Sequence, residues 1–229
     1  MIKHHPKNEL LHVFVKGELP ASLSAAIAIH ADMCPACQQK ISEFTDEQVA
    51  SFQNNHYQNF MIANKGDYSV AGLNPLDMNT MINSIVADDK LSSLPEKKTK
   101  TINIADNEFT LPTALQNMEL GGFIQLGKLA RARLKLDEGD IHSNLLHIQP
   151  GGSVPEHTHK GYELTLLLSG EFSDEQGHYV PGDFIMLDSK HTHKPKSEHG
   201  CLCFTVSNNS LHFTQGINRL LNPIGAFVY

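Results

Sequence analysis

The sequence has no long apolar run and no excess of basic residues. No stretch of the chain approaches the roughly 20 consecutive apolar residues that a membrane span needs, and its start carries no apolar signal segment. Lysine and arginine number 18 against 25 aspartates and glutamates, which gives a formal net charge of −7. Because affinity for nucleic acid rests mainly on basic side chains, direct nucleic-acid binding is not expected. These absences favour a cytoplasmic protein without membrane attachment.

Cysteine is scarce and tryptophan is absent, whereas histidine is abundant. Four cysteines are too few for a disulfide scaffold, and in a reducing compartment spaced cysteines more often bind a metal. The 14 histidines make metal binding the first chemistry to consider. Hydrophobic residues make up 40% of the 229 residues, which is enough for packed cores, and the length favours two domains.

The apolar pattern changes along the chain from a helical period to a strand period. Helices are predicted at about 6–17, at 21–32, after Pro35 and at 76–86, with a polar loop at 52–73. Residues 92–104 are charged, contain proline and lack periodicity, which is typical of a linker. From 105 to 229 short alternating runs are separated by turn residues. We therefore predict a multidomain α+β protein, helical at 1–91 and an antiparallel β sandwich or barrel at 105–229.

The spacing His30-x3-Cys34-x2-Cys37 predicts a metal site in the helical part. His30 and Cys34 share a helix face, and a C-x2-C pair is typical of zinc sites. If the first two helices form an antiparallel hairpin, His5 lies level with His30 and can supply the fourth ligand, with His4 as its competitor. Two thiolates and two imidazoles favour a closed zinc site. The alternative is that the cysteines are small core residues and the histidines are surface groups.

A second candidate site has the pattern G-x5-H-x-H-x3-E-x6-G, with His157, His159 and Glu163 as its polar members. The three residues have the same parity, so in an extended chain their side chains can converge on one face of a sheet. Either His191 or His193, downstream of a P-G-D turn, can add a further imidazole. This donor set accommodates zinc, manganese, iron or nickel, so the metal stays open. The alternative is a histidine-rich surface loop.

These motifs resemble those of known families. The H-x-H-x3-E pattern and the downstream P-G-D…H resemble the two motifs of the cupin superfamily, and the N-terminal pattern resembles the zinc-binding anti-sigma domain. In this order they resemble the ChrR-type anti-sigma factors. The resemblance implies a small helical zinc-binding domain followed by a C-terminal antiparallel β jelly roll of the cupin type. It implies zinc ligands at His5, His30, Cys34 and Cys37, and cupin metal ligands at His157, His159, Glu163 and His193.

The resemblance implies a regulator and not an enzyme. Such a protein binds and inhibits an extracytoplasmic-function sigma factor, and its metal-binding cupin domain senses a stress signal, oxidative in similar proteins, that releases the partner. Zinc is expected at the first site, and zinc or another divalent first-row metal at the second. The alternative is a metal-dependent cupin enzyme, a dioxygenase or an isomerase, with a structural zinc hairpin. A homodimer is left open, and Cys201 and Cys203 are either buried small residues or a redox-sensitive pair.

Overall fold

A computed structural model describes residues 1–63, 80–81, 83–84, 86–87, 99–105, 107–208 and 211–213. Its contacts divide the chain into two compact units, one formed by Met1–Thr45 together with Thr99–Tyr229 and the other by Asp46–Lys98. The first unit contains both predicted metal sites. No helix among the described residues is long and apolar enough to span a membrane.

Three helices form the N-terminal part: α1 at Asn8–Val15, α2 at Ala21–Met33 and α3 at Pro35–Ala63. Turn residues in the sequence explain where they begin and end. Gly17 takes a left-handed φ of 71° just after α1, a conformation that glycine adopts without steric cost. Proline opens α3, where its missing N–H leaves no hydrogen bond unmade. The first three predicted helices are confirmed.

Helix α3 is longer than the sequence suggested. Residues 52–63, predicted as loop, continue the helix, so that part of the prediction is wrong. The segment is polar, but it contains neither proline nor glycine, and polarity alone does not end a helix. Of the predicted fourth helix at 76–86, residues 80–81, 83–84 and 86 are helical. Its other residues, and 64–73 of the predicted loop, lie outside the described residues.

The rest of the described chain is built mainly from short strands. They are β1 (Thr101–Ile104), β2 (Asn107–Thr110), β3 (Ile124–Leu126), β4 (Leu129–Leu134), β5 (His142–Ile148), β6 (Gly152–Ser153), β7 (His157–His159), β8 (Glu163–Gly170), β9 (Phe172–Asp174), β10 (Gly177–Tyr179), β11 (Phe184–Leu187), β12 (Thr192–His193), β13 (Lys196–Ser197), β14 (Cys201–Ser207) and β15 (Leu211–Phe213). Strand β1 lies within the stretch 92–104 that is predicted as linker. Residues 92–98 lie outside the described residues.

A six-stranded sheet with the order β11-β8-β14-β5-β4-β3 forms the centre of the first unit. Smaller sheets have the orders β10-β9-β13-β6 and β12-β7-β15, and β1 pairs with β2. The pairings among the described strands are antiparallel. The predicted antiparallel β architecture of the C-terminal part is therefore confirmed.

Both faces of the six-stranded sheet are buried at its central strand β14. On one face Phe204 of β14 belongs to the same hydrophobic cluster as Leu11 of α1 and Ile27 of α2. On the other face Cys201 and Cys203 belong to a separate cluster inside the β domain. Residues 1–45 therefore share a core with the strands. This grouping differs from the predicted domain boundaries of 1–91, 92–104 and 105–229, which stay a prediction.

Candidate metal centres

Four donor atoms meet where the N-terminal segment, α2 and α3 converge. Nδ1 of His5 lies 3.4 Å from Nε2 of His30. The same nitrogen lies 3.4 Å from Sγ of Cys34 and 3.5 Å from Sγ of Cys37. Tetrahedral zinc with bonds of about 2.0–2.3 Å puts neighbouring donors roughly 3.3–3.8 Å apart. These three distances match edges of such a tetrahedron, and the donor set fits zinc.

The path of the chain explains why these donors meet. His30 lies in the last turn of α2, and Cys34 follows that helix directly. Cys37 lies in the first turn of α3, where its N–H donates to the carbonyl of Cys34 at 3.1 Å. The break between the two helices therefore brings three of the four donors together through local structure alone.

The fourth position is taken by the residue just before Pro6, at the approach to α1. His5 reaches the cluster with Nδ1, and its donor atom lies within 4.8 Å of the other three. The ring of His4 instead lies 4.9 Å from the ring of Tyr179 in the β domain. The structure therefore brings His5 and not His4 into the cluster.

Burial explains the electrostatics of this site. Burial and the neighbouring Cys34 raise the pKa of the Cys37 thiol to about 11. Burial also lowers the pKa of His30, which keeps its imidazole neutral. A bound cation reverses the first effect, because it stabilises a thiolate directly. His5 is exposed, so solvent reaches the cluster from that side.

A turn of the β domain supports this cluster. The Nδ1–H of His30 donates to the carbonyl of Gly182 at 2.6 Å, which leaves Nε2 of His30 facing the other donors. Gly182 lies just before β11, in the P-G-D turn that the sequence marked only as a turn. The contact spans 152 residues of chain, so no sequence spacing could reveal it.

A second cluster lies inside the β domain and is fully buried. Nε2 of His193 lies 2.9 Å from Nε2 of His157 and 3.3 Å from Nε2 of His159. Oε2 of Glu163 lies 2.9 Å from Nε2 of His159 and 3.7 Å from Nε2 of His193. Three imidazole nitrogens and one carboxylate oxygen thus converge within 4.8 Å of one another. This set suits a divalent first-row metal.

Strand register positions the second cluster. His157 and His159 are two residues apart on β7 and share a face, and His193 on β12 pairs directly with His157. His191 is exposed instead, and its Nδ1 lies 2.7 Å from a carboxylate oxygen of Asp188. The structure therefore brings His193 into the cluster and leaves His191 outside it.

The pKa values at the second cluster favour cation binding. Burial opposes the ionisation of Glu163, but the charges of the neighbouring histidines, His159 above all, outweigh it and hold the pKa at about 2. Burial lowers the pKa of His157 to about 4. At neutral pH the carboxylate is therefore ionised and His157 is neutral, which is the protonation state that metal ligands require.

Hydrogen bonds orient two of the three imidazoles. The Nδ1–H of His157 donates to the carbonyl of Pro155 at 2.7 Å, and the Nδ1–H of His193 donates to Oδ2 of Asp174 at 3.3 Å. The hydroxyl of Tyr179 donates to Oδ1 of the same aspartate at 3.1 Å. Burial and the charge of Asp174 raise the pKa of Tyr179, so the phenol keeps its proton. No motif in the sequence marks Asp174 as part of a site, because it lies in an acidic turn that by itself predicts only a hairpin.

The space beside the second cluster is small. A cavity of about 20 Å³ is lined by His157, Glu163 and Cys203, among other residues. A volume of this size holds about one water molecule. Cys201 and Cys203 are both buried free thiols, which agrees with the first of the two interpretations of this pair. Their redox role stays a prediction.

Comparison with known proteins finds similarity in both halves of the chain. Residues 128–211 match the family described as the ChrR cupin-like domain. Over an alignment of 233 positions, the chain is 25% identical to the anti-sigma-E factor ChrR of Cereibacter sphaeroides, with 97% of each chain covered. The chain is similar to ChrR along nearly its whole length.

A similar fold is found in a solved structure. The matching chain comes from the crystal structure of Rhodobacter sphaeroides SigE in complex with the anti-sigma ChrR, with a TM-score of 0.58 and 21% identity. The match covers 90% of this chain and 99% of that one. An RmlC-like cupin from Ralstonia eutropha matches 43% of this chain and 68% of its own, with 16% identity and a TM-score of 0.38. The predicted fold, N-terminal helices followed by an antiparallel cupin-like domain, is confirmed.

Proposed function

We propose that the protein is an anti-sigma factor that binds and inhibits an extracytoplasmic-function sigma factor. One observation carries this proposal: a His/Cys cluster on the N-terminal helices accompanies a His/Glu cluster in a cupin-like domain, in a chain similar to ChrR over 97% of its length. That relative is named an anti-sigma-E factor, and the similar solved structure holds ChrR in complex with SigE. Because sigma factors act on RNA polymerase, the proposed site of action is the cytoplasm.

The first cluster would hold zinc through His5, His30, Cys34 and Cys37. Four protein donors complete a tetrahedron, which is typical of structural zinc and leaves no coordination position for a substrate. Bound zinc would stabilise the junction of α2 and α3 and tie the N-terminal segment to it. The second cluster would hold zinc or another divalent first-row metal through His157, His159, Glu163 and His193.

The cupin-like domain is proposed to sense a stress signal, with oxidative stress as the candidate. A signal releases a partner only if it interacts differently with the bound and the released conformations. The shared core of the helices and the six-stranded sheet supports this role, since Leu11 and Phe204 belong to one hydrophobic cluster. A change in the packing of the sheet therefore alters the packing of the helices against it.

The alternative of a cupin enzyme has less support. A dioxygenase or an isomerase needs room for an organic substrate beside its metal. The cavity beside His157 and Glu163 measures about 20 Å³, far below the roughly 300 Å³ at which ligand pockets begin. A regulator needs no such pocket.

The test is a reconstitution with candidate extracytoplasmic-function sigma factors from the same genome. Co-expression should yield a one-to-one complex on size-exclusion chromatography, and the full-length protein should block transcription from a promoter that depends on that sigma factor. Cys34→Ser and Cys37→Ser should weaken both effects. His199→Ala changes an exposed histidine outside both clusters and serves as the matched control. If no such sigma factor is bound or inhibited, the proposal is wrong.

A further inference from the structure

We propose that Asp174 and Tyr179 couple the two clusters, so that a cation bound at one changes the affinity for a cation at the other. The proposal rests on the metal-binding part of the proposed function and needs no sigma factor. It is carried by a continuous series of contacts between His193 of the buried cluster and His5 of the helical cluster.

The series begins at His193. Its Nδ1–H donates to Oδ2 of Asp174 at 3.3 Å, on the side of the ring opposite to the cluster. Asp174 cannot turn freely, because its Oδ1 accepts the backbone N–H groups of Gln176 at 2.8 Å and Gly177 at 3.2 Å. A cation on Nε2 of an imidazole strengthens the hydrogen bond that Nδ1–H donates. Binding in the buried cluster therefore acts first on this carboxylate.

The middle of the series is Tyr179. Its hydroxyl donates to Oδ1 of Asp174 at 3.1 Å, and its side chain is almost completely buried. On one side its ring lies 4.7 Å from the ring of Phe172, and on the other 4.9 Å from the ring of His4. Tyr179 is the side chain that touches both the carboxylate beside the buried cluster and the histidine beside the helical cluster.

The series ends on the N-terminal segment. Oδ1 of Asp183 accepts the backbone N–H groups of Lys3 at 2.7 Å and His4 at 2.9 Å. The N–H of Phe184 donates to the carbonyl of His4 at 3.0 Å. These three hydrogen bonds fix the residues that immediately precede His5. Because the side chain of His5 is exposed, its place in the helical cluster depends strongly on how this segment is held.

The turn that carries Asp183 also touches the other end of the helical cluster. Oδ2 of Asp183 accepts the N–H of Val180 at 2.8 Å, next to Tyr179. The carbonyl of Gly182 accepts the Nδ1–H of His30 at 2.6 Å. A shift of Tyr179 thus reaches two of the four donors, His5 through the segment before it and His30 through this carbonyl. Asp174 and Tyr179 are positioning residues in this scheme, since neither touches a bound cation.

The test measures cobalt(II) binding to the full-length protein after metal removal. Thiolate ligation gives cobalt(II) a charge-transfer absorption that a His/Glu site lacks, so the helical cluster can be titrated separately. His157→Ala disables the buried cluster, so the cobalt(II) affinity of the helical cluster is compared between the wild type and this variant. The same comparison is then made between Tyr179→Phe and the Tyr179→Phe/His157→Ala double variant. Tyr179→Phe keeps the ring and removes only the hydroxyl. Tyr162→Phe, at a partly buried tyrosine outside the series, is the matched control.

The expected result is that His157→Ala changes the helical-cluster affinity by about five-fold or more in the wild-type and Tyr162→Phe backgrounds, the scale of ordinary site-to-site coupling. In the Tyr179→Phe background, the fold-change in helical-cluster affinity caused by His157→Ala should be less than half of the fold-change in the wild-type background. By reciprocity, Cys34→Ser should alter cation affinity at the buried cluster in the same way. No change on His157→Ala in the wild type, or the same change with and without the Tyr179 hydroxyl, overturns the proposal. Neither result would bear on whether the protein binds a sigma factor.

Discussion

The carbonyl of Gly182 accepts a hydrogen bond from Nδ1 of His30 at 2.6 Å, across 152 residues of chain. The glycine belongs to the cupin-like domain and the histidine to the helical cluster. An orienting hydrogen bond of this kind fixes which nitrogen of an imidazole faces a metal. The β domain therefore contributes to the geometry of a cluster in which it supplies no donor atom.

The first prediction concerns the close contact at this turn. Gly182 has a φ of 94°, and a Cβ placed there would overlap Cδ1 of Ile2. Gly182→Ala should lower the free energy of unfolding by about 2 kcal/mol, mainly through backbone strain at a positive φ, with a smaller steric cost because the end of the Ile2 side chain can move. Gly139→Ala is the matched control, because it has a φ of 60° with no atom within 4 Å of its Cβ.

Urea denaturation of both variants gives the comparison. Gly139→Ala should cost only about 1 kcal/mol, the strain of a left-handed alanine. Equal losses in the two variants would show that the contact with Ile2 adds nothing to the cost of the alanine.

The second prediction concerns which histidine completes the buried cluster. His193→Ala should abolish cation binding at that cluster, because it removes one of four donors. His191→Ala should leave binding intact, since His191 is exposed and lies beside Asp188. Metal content measured by mass spectrometry of the purified proteins distinguishes the two. Loss of metal in His191→Ala would contradict the observed geometry.

The third prediction concerns the number of metals. The wild type should carry two equivalents, one per cluster, and both Cys34→Ser and His157→Ala should carry about one. Point variants serve better here than deletion of the N-terminal helices, because deletion exposes the apolar sheet face around Phe204. Strong chelators should lower the melting temperature of the wild type more than that of either variant. A wild type that keeps its stability after complete metal removal would argue against structural zinc.

The fourth prediction concerns pH. Burial opposes the ionisation of Asp183, but the N–H groups of Val180, His4 and Lys3 outweigh it and hold its pKa below the usual value. A carboxyl group with a lowered folded-state pKa stabilises the fold above its unfolded-state pKa of about 3.9, and this contribution is lost as the pH falls through the folded-state pKa. The Asp183→Asn substitution should therefore lower the free energy of unfolding by about 3 kcal/mol near neutral pH, which is the scale of hydrogen bonds to a charged group.

Urea titrations of metal-free protein from about pH 7 down to about pH 3 test this linkage. The difference in the free energy of unfolding between the wild type and Asp183→Asn should shrink below about pH 4. Asp140→Asn, at an exposed aspartate, is the control and should stay parallel to the wild type. A difference for Asp183→Asn that is constant with pH would rule out an ionised Asp183 as its source.

Much of the fold could be predicted from local signals. Gly17 and Pro35 mark an end and a beginning of helices, and the alternation in β4 marks a strand. The wrong prediction at 52–63 also has a local cause: polar residues favour a loop, although nothing there breaks a helix. Strand β1 leaves no clear signal in the charged stretch at 92–104, because its pairing with β2 depends on residues further along.

The sequence by itself determined the two sets of candidate donors, because helix and strand periods fix which neighbours share a face. His30, Cys34 and Cys37 are close through local structure, and so are His157 and His159. Only the tertiary structure decided between His4 and His5, and between His191 and His193, since each choice depends on segments that meet across the fold. The same holds for the supporting contacts of Asp174 and Gly182, and for the packing of the helices on the sheet. Hydrogen bonds and apolar contacts between residues far apart in the chain leave no periodic trace in the sequence.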